Sequence, residues 1–424
     1  MNSLGEIFRN GIFSICSANE LVIEASMENA ASTDSYVLIE ATANQVNQFG
    51  GYTGMTPADF RAYVYSLADK VGFDKAKVIL GGDHLGPLTW AAEEEGPAMA
   101  KAETLVRDFV LAGFSKIHID TSMRLLGDDP HARLSDETIA RRGAALCKAA
   151  ENARAKLQEQ DGNAISPVYV IGSEVPVPGG AREAEVVSVT SPEDFKATVN
   201  AFESAFANCG LTDAWGRVVA VVVQPGVEFS DSEVVEYDRE KASALTSALT
   251  DYPGMIFEGH STDYQTKHNL ARMVEDGVRI LKVGPALTFA MREALFALSA
   301  IEGEVVPAAK RAYFVETLME TMYGDPSNWV KYYHGTHSEI GIKLKYSYSD
   351  RERYYLGCPP VTVAINKLIS NIDGAKPEAN ILSQHLPIQY DKIRMGFLKN
   401  DACSLIKDRI RNCLDTYNYA VKRS

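Results

Sequence analysis

Along residues 1–300, short runs rich in Val and Ile alternate with longer stretches whose apolar positions recur at helical spacing. The runs are GIFSIC (11–16), YVLIEA (36–41), KVILGGDH (77–84), SKIHID (115–120), PVYVIGSE (167–174), RVVAVVVQPG (217–226), GMIFEGH (254–260) and VRILKVG (278–284). Most are apolar without strict alternation, the pattern of strands covered on both faces of a parallel sheet. Between them lie segments with helix signals. Thr56 and Ser191 are N-caps followed by proline, and Gly210 suits a C-terminal stop. Residues 238–254 follow the same pattern. Eight strand–helix units predict an α/β fold of the (β/α)8 TIM-barrel type over residues 1–300. An open doubly wound sheet is the alternative. No GxGxxG follows the first run, so a dinucleotide fold has little support.

The rhythm stops near residue 301. Residues 301–424 read as a mainly helical C-terminal extension, with an amphipathic helix in PAAKRAYFVETLMETMYG and a last helix in NDACSLIKDRIRNCLDTYNYAVKRS. The Tyr-rich basic stretches NWVKYYHGT and KLKYSYSDRERYYLG read as packing or subunit-contact surface in preference to a catalytic role. The longest excursion within the barrel region, 121–166, carries the helix former SDETIARRGAALCKAAENARAKLQEQ.

Composition narrows the function classes. The chain has 424 residues, 42 basic and 56 acidic, for a net charge of −14. No run of basic residues is present to bind a phosphate backbone, so nucleic acid is not expected as a partner. No stretch approaches the roughly 18 apolar residues of a membrane span. Six cysteines lie far apart with no CxxC, which points to reduced thiols in a cytoplasm. The N-terminus lacks a signal peptide's basic start and long apolar stretch.

In such a barrel, chemistry gathers at the C-terminal ends of the strands. The eight runs offer, in order, Cys16 and Ser17, Glu40, Asp83 and His84, Asp120, Glu174, Gln224, Glu258 and His260, and Lys282 and Gly284. Charges at a barrel mouth must be paired, solvated or metal-bound. Two imidazoles and several carboxylates on separate strands suggest a divalent metal site built from His84, Glu174 and His260, Zn²⁺ first, with Mn²⁺, Co²⁺ or Mg²⁺ as alternatives. His118 lies inside its run and either fills the barrel or meets a helix. Lys282 has several readings: an ion pair with Glu40 or Glu258, phosphate binding, oxyanion stabilisation or a Schiff base. HSTDY, with Ser261 and Asp263, and VGPALT, with Gly284, suit a phosphate. Glu40, Asp120 and Glu258 are further candidates for substrate contact. IGSEVPVPGG reads as a rigid loop, either a lid or a plain turn.

LIEATANQVNQFGGYTGMTPADF, GGDHLGP, GFSKIHIDTSM, GSEVPVPGG, VVVQPGVEF, HSTDYQT and LKVGPALTFAMREALFAL, with YSYSDRERYY near the C-terminus, resemble the GatZ/KbaZ family. These are Z subunits associated with class II tagatose-1,6-bisphosphate aldolase. The resemblance implies a (β/α)8 barrel, a role in tagatose or galactitol catabolism, and a separate catalytic subunit that the Z subunit supports. No Walker-type loop is present, so no nucleotide is expected. The barrel also resembles the catalytic class II aldolases more distantly. That likeness implies Asp83 as acid or base, His84 and His260 as metal ligands, and Lys282 beside the phosphate. Those aldolases carry a further metal histidine after the sixth strand, where this chain has Gln224. The implied ligand set is therefore His84, Glu174, Gln224 and His260.

Two functions follow. The chain is an aldolase component supporting a catalytic subunit, or a self-contained metal-dependent 4-epimerase interconverting tagatose 6-phosphate and fructose 6-phosphate. In the second case Asp83 moves the C4 hydroxyl proton and Glu174 serves as ligand or second base. A ketohexose phosphate is the expected small molecule, and an oligomer is expected.

Overall fold

The computed structural model describes residues 3–172 and 187–422. Eight parallel strands close into a barrel: β1 (Ile12–Ile15), β2 (Val37–Thr42), β3 (Val78–Leu85), β4 (Lys116–Ile119), β5 (Val168–Ile171), β6 (Val218–Val223), β7 (Ile256–Gly259) and β8 (Val278–Val283). Each pairs with its neighbours in chain order, and β8 closes on β1. All eight predicted runs are strands. A two-residue antiparallel ribbon, Glu228–Phe229 with Val234–Val235, follows β6 and has no counterpart among the predicted runs.

Local chemistry sets the helices as the sequence predicts. The helix Pro57–Val71 has Thr56 as N-cap in a capping box with Asp59, and Gly72 ends it in the left-handed conformation. Ser191 caps the helix Pro192–Asn208 through the Asp194 N–H, and Gly210 lies just beyond its end at φ +70°. The amphipathic helix of the extension starts later than its sequence pattern, at Phe314, because residues 308–310 form a separate 3₁₀ turn.

Alternation along each strand separates two environments. Ile117, Ile119, Val221 and Phe257 face the surrounding helices, in the large core. Ile12, Leu38, Ile79, Val168, Ile256 and Ile280 fill the lower barrel, which Ile7 and Phe8 of the N-terminal helix Leu4–Arg9 cover. Above this apolar layer the interior turns ionic.

The extension does not hang free. Its last helix, Ala402–Val421, lies against the helices Glu20–Ser32, Lys267–Glu275 and Pro285–Val305. Tyr417 donates from its hydroxyl to the Thr262 carbonyl (2.9 Å), and Asn418 bonds Asn29 (2.6 Å). Its apolar residues belong to the same core as the barrel's outer face.

Candidate active site

The Asp83–His84 pair ends β3. In a regular strand, adjacent side chains point to opposite faces. Here Gly82 is in register with Ile117 and Leu85 with Ile119, so β3 carries one extra residue. His84 takes φ +47°, uncommon for a bulky side chain. This bulge turns both Asp83 and His84 into the barrel mouth. Two glycines make room. A Cβ on Gly81 would lie 2.6 Å from Glu40 Cγ, and one on Gly86 only 1.7 Å from the Asp120 carbonyl oxygen.

Asp83, His84, His118 and His260 converge, with one donor atom from each within 4.8 Å of the others. The three imidazole centroids are 4.8, 4.9 and 5.5 Å apart. His118 was not singled out as a site residue. Alternation places it on the same inner face as Lys116, and that i, i+2 relation was the signal available in SKIHID.

Hydrogen bonds assign the ring nitrogens. His84 Nδ1–H donates to Asp120 Oδ2 at 2.8 Å, which leaves Nε2 as its ligand atom. His260 Nε2–H donates to Glu258 Oε1 at 2.9 Å, leaving Nδ1. Burial pushes His260 down to about 4, so it is neutral and suited to a cation. His118 Nε2–H donates to the Gly172 carbonyl (2.9 Å), and its Nδ1 accepts the His84 backbone N–H (3.1 Å). Nδ1 also lies 3.0 Å from Asp83 Oδ1, so both ring nitrogens of His118 are engaged by the protein and it supports Asp83 and His84 from behind, with no lone pair left for a metal. Asp83, His84 Nε2 and His260 Nδ1 are the groups that would hold a cation here. Carboxylates or carbonyls behind the histidines are the usual support of metal-binding imidazoles.

Charge balance points the same way. Glu40, Asp83, Asp120 and Glu258 are buried carboxylates, and Lys116 and Lys282 are buried ammonium groups. With neutral imidazoles the set carries two uncompensated negative charges, which a divalent cation balances. Burial would lower the pKa of His84, but Asp83 and Asp120 outweigh it and raise it. Burial would raise Asp83, yet Lys282 and the imidazoles hold it well below the usual carboxylate range.

The ionic layer lies beneath this cluster. Lys116, wholly buried, sits 2.8 Å from Glu40 Oε1 and 2.7 Å from Glu258 Oε2, as ion pairs whose angles fall short of hydrogen bonds. Lys282 reaches Glu40 Oε2 (2.5 Å), Asp83 Oδ1 (2.9 Å) and Glu258 Oε1 (4.0 Å). Lys282 therefore forms the ion pair among its sequence readings, with Asp83 added.

Several candidates take different places from those anticipated. Glu40, Asp120 and Glu258 do not line the cavity, because Lys116, Lys282, His84 and His260 occupy their carboxylates. Gln224 Oε1 accepts the N–H groups of Gly226 (2.8 Å) and Val227 (2.9 Å), which takes both lone pairs from any metal. The Gly284 N–H donates to Asp263 Oδ1 (3.0 Å), as does that of Ala286 (2.8 Å), so Asp263 fills the expected anion position at the start of the helix Pro285–Val305. Ser261 lines the cavity. Glu174 lies outside the described residues.

The mouth opens into a cavity of about 270 Å³. Asp83, His84, His260 and Lys282 form part of its wall, and Thr42, Asn44, Gln45 and Tyr52 come from the loop after β2. Arg353 and Tyr354 enter from the extension, in the segment anticipated as packing surface. The arrangement can hold a cation, an ionised carboxylate beside it, and a polar ligand the size of a small sugar.

The model of the "D-tagatose-1,6-bisphosphate aldolase subunit GatZ/KbaZ-like" family matches residues 5–422. A protein from Klebsiella pneumoniae named "D-tagatose-1,6-bisphosphate aldolase subunit GatZ" is 46% identical over 410 residues, covering 96% of this chain and 95% of its own length. A protein of the same name from Salmonella typhimurium is 45% identical over the same shares. A solved structure described as a "probable tagatose 6 phosphate kinase" from Sinorhizobium meliloti 1021 has a TM-score of 0.89 and 44% identity, covering 97% of this chain and 100% of that one. With a family match over nearly the whole length and relatives at this identity, the chain belongs to the GatZ/KbaZ-like family of D-tagatose-1,6-bisphosphate aldolase subunits.

Proposed function

We propose that this chain is the Z-type component of a tagatose-1,6-bisphosphate aldolase, acting with a catalytic partner subunit, and that its own barrel mouth is a metal-dependent ketohexose-phosphate site in a cytoplasmic pathway. The observation that carries the second part is the convergence of Asp83, His84, His118 and His260. A subunit acting only by contact has no need of a buried ionic layer beneath four converging side chains, since unpaired buried charge is costly. The free nitrogens of His84 and His260 beside the Asp83 carboxylate suit Zn²⁺, with Mn²⁺ or Co²⁺ as alternatives.

A divalent cation held there supplies Lewis acidity toward a ketose carbonyl. The residues do the rest. Asp83, kept ionised by Lys282, accepts the proton of the C4 hydroxyl. The C3–C4 bond breaks, its electron pair passing toward C2 and its carbonyl oxygen. Return of the proton from Asp83 accompanies re-formation of the bond. Lys282, fixed by carboxylates, keeps Asp83 oriented.

The same groups favour a second reading. If the aldehyde fragment turns before the bond re-forms, the chain by itself is a 4-epimerase, an isomerase of tagatose 6-phosphate and fructose 6-phosphate. That Asp83, His84 and His260 all come from one chain supports it.

The test uses the purified, Zn²⁺-loaded chain. Added to a catalytic class II aldolase subunit, it is expected to raise the rate or stability of tagatose 1,6-bisphosphate cleavage. Incubated alone with tagatose 6-phosphate, with and without EDTA, it reports the second reading through fructose 6-phosphate. A folded, loaded chain that changes neither assay refutes both.

A further inference from the structure

A phosphate brings close to two negative charges to a protein whose own net charge is −14. It needs a cation whose charge is not already balanced. Among the described residues lining the mouth, the cations are Lys282 and Arg353. Lys282 has three carboxylates around it. Arg353 has no carboxylate within ion-pair distance among the described residues. Among the described residues, three of its five N–H donors have protein partners: Nη1 bonds the Ser349 and Asp350 carbonyls (2.5 and 2.8 Å), and Nη2 bonds the Tyr354 hydroxyl (2.9 Å). The guanidinium also lies 4.4 Å from the Tyr354 ring centroid.

The backbone that carries Arg353 is fixed from below. Asp350 is wholly buried and sits at φ +47°. Its carboxylate accepts the Thr288 hydroxyl and lies 3.6 Å from Arg292, and Arg292 pairs with Glu352. Thr288 and Arg292 belong to the helix that follows β8, so the barrel itself locks the turn. An arginine held this way loses little freedom on binding. Tyr52, from the loop after β2, meets Tyr354 edge-on at 5.8 Å and completes the wall.

We propose that Arg353 is the phosphate-binding residue of the barrel mouth and takes the phosphate monoester of a ketohexose through its two remaining N–H donors. This rests on the sugar-phosphate reading of the site. It makes the C-terminal extension part of the binding site and gives the YSYSDRERYY segment a specificity role: phosphorylated over free ketose.

The experiment is calorimetric titration of the full, Zn²⁺-loaded chain with D-tagatose 6-phosphate and with free D-tagatose, with inorganic phosphate as competitor. Arg353→Met is expected to weaken the phosphorylated sugar about 10- to 100-fold, the loss of charged hydrogen bonds, and to leave free tagatose and zinc content unchanged. Arg353→Lys is expected to fall between the two, because the charge stays and the fork is lost. If Arg353→Met does not fold, Arg353→Lys decides, with at least a threefold selective loss required. Equal affinity of wild type and variants for the phosphorylated sugar overturns the Arg353 assignment and leaves the sugar-phosphate reading standing. A wild-type chain that binds neither sugar overturns both.

Discussion

Lys116 gives the sharpest test of the ionic layer. It is wholly buried and touches Glu40 and Glu258 at 2.8 and 2.7 Å, so Lys116→Met keeps the stem and deletes only the charge. Glu258 then lacks its nearest ammonium and Glu40 one of its two, and the net charge of the buried set falls from −2 to −3. Lys282 remains 2.5 Å from Glu40 but 4.0 Å from Glu258, so Glu258 is the group left most exposed to the loss. Breaking a buried pair by removing one partner costs about 3–5 kcal/mol. At about 1.1 °C per kcal/mol for a chain of 424 residues, Tm falls by about 3–6 °C. The assay is thermal unfolding followed by circular dichroism, paired with urea unfolding. The double variant Lys116→Met/Glu40→Gln restores the charge to −2 and is expected to regain roughly half of the loss, a coupling that residues in one network should show. A Tm change below about 2 °C in Lys116→Met would refute the argument, since Glu40 and Glu258 would then be protonated or solvated instead of paired.

Other expectations follow from the same geometry. Asp120→Ala removes the acceptor that orients His84 and should weaken Zn²⁺ about 10- to 100-fold by equilibrium dialysis, and unchanged affinity would separate His84 from the metal. Gly86→Ala sets a methyl 1.7 Å from the Asp120 carbonyl, an overlap that only backbone movement relieves, so it should destabilise by about 1–3 kcal/mol or more and lower zinc content together. Burial pushes the Asp263 carboxyl up from 3.8 to about 6, against the N–H groups of Ala286 and Gly284. Its folded pKa is raised, so its contribution is fully present below about pH 4 and is lost as pH rises through 6, amounting to about 3 kcal/mol. Wild type should therefore lose stability between pH 4 and 7 relative to Asp263→Asn, measured by urea unfolding, and parallel curves would contradict the assignment.

The fold was legible because its signals are local. Val- and Ile-rich runs, Thr56 and Ser191 caps and the glycine stops depend on side chains a few residues apart, and all eight runs became strands. The strand-end rule also placed Asp83, His84, His260 and Lys282 at one mouth. What stayed hidden depends on distance in space. His118 and Lys116 look like strand interior until the barrel closes and the inner face of β4 meets β2 and β7. Gln224 reads as a ligand until the turn after β6 folds its N–H groups back onto Oε1.

Arg353 marks the same divide. Nothing near it in sequence tells a Tyr-rich surface from the wall of a site whose Lys282 lies roughly 70 residues upstream and whose Asp83 lies roughly 270, separations that only folding closes. Periodicity and capping are properties of the chain in short windows, so the sequence alone fixes elements, their order and which face is apolar. Which charges share a low-dielectric interior, which nitrogen of each histidine keeps its lone pair and which cation is left for an anion are sums over groups from many strands. Those sums exist only once the β3 bulge, barrel closure and docking of the extension have brought the groups together.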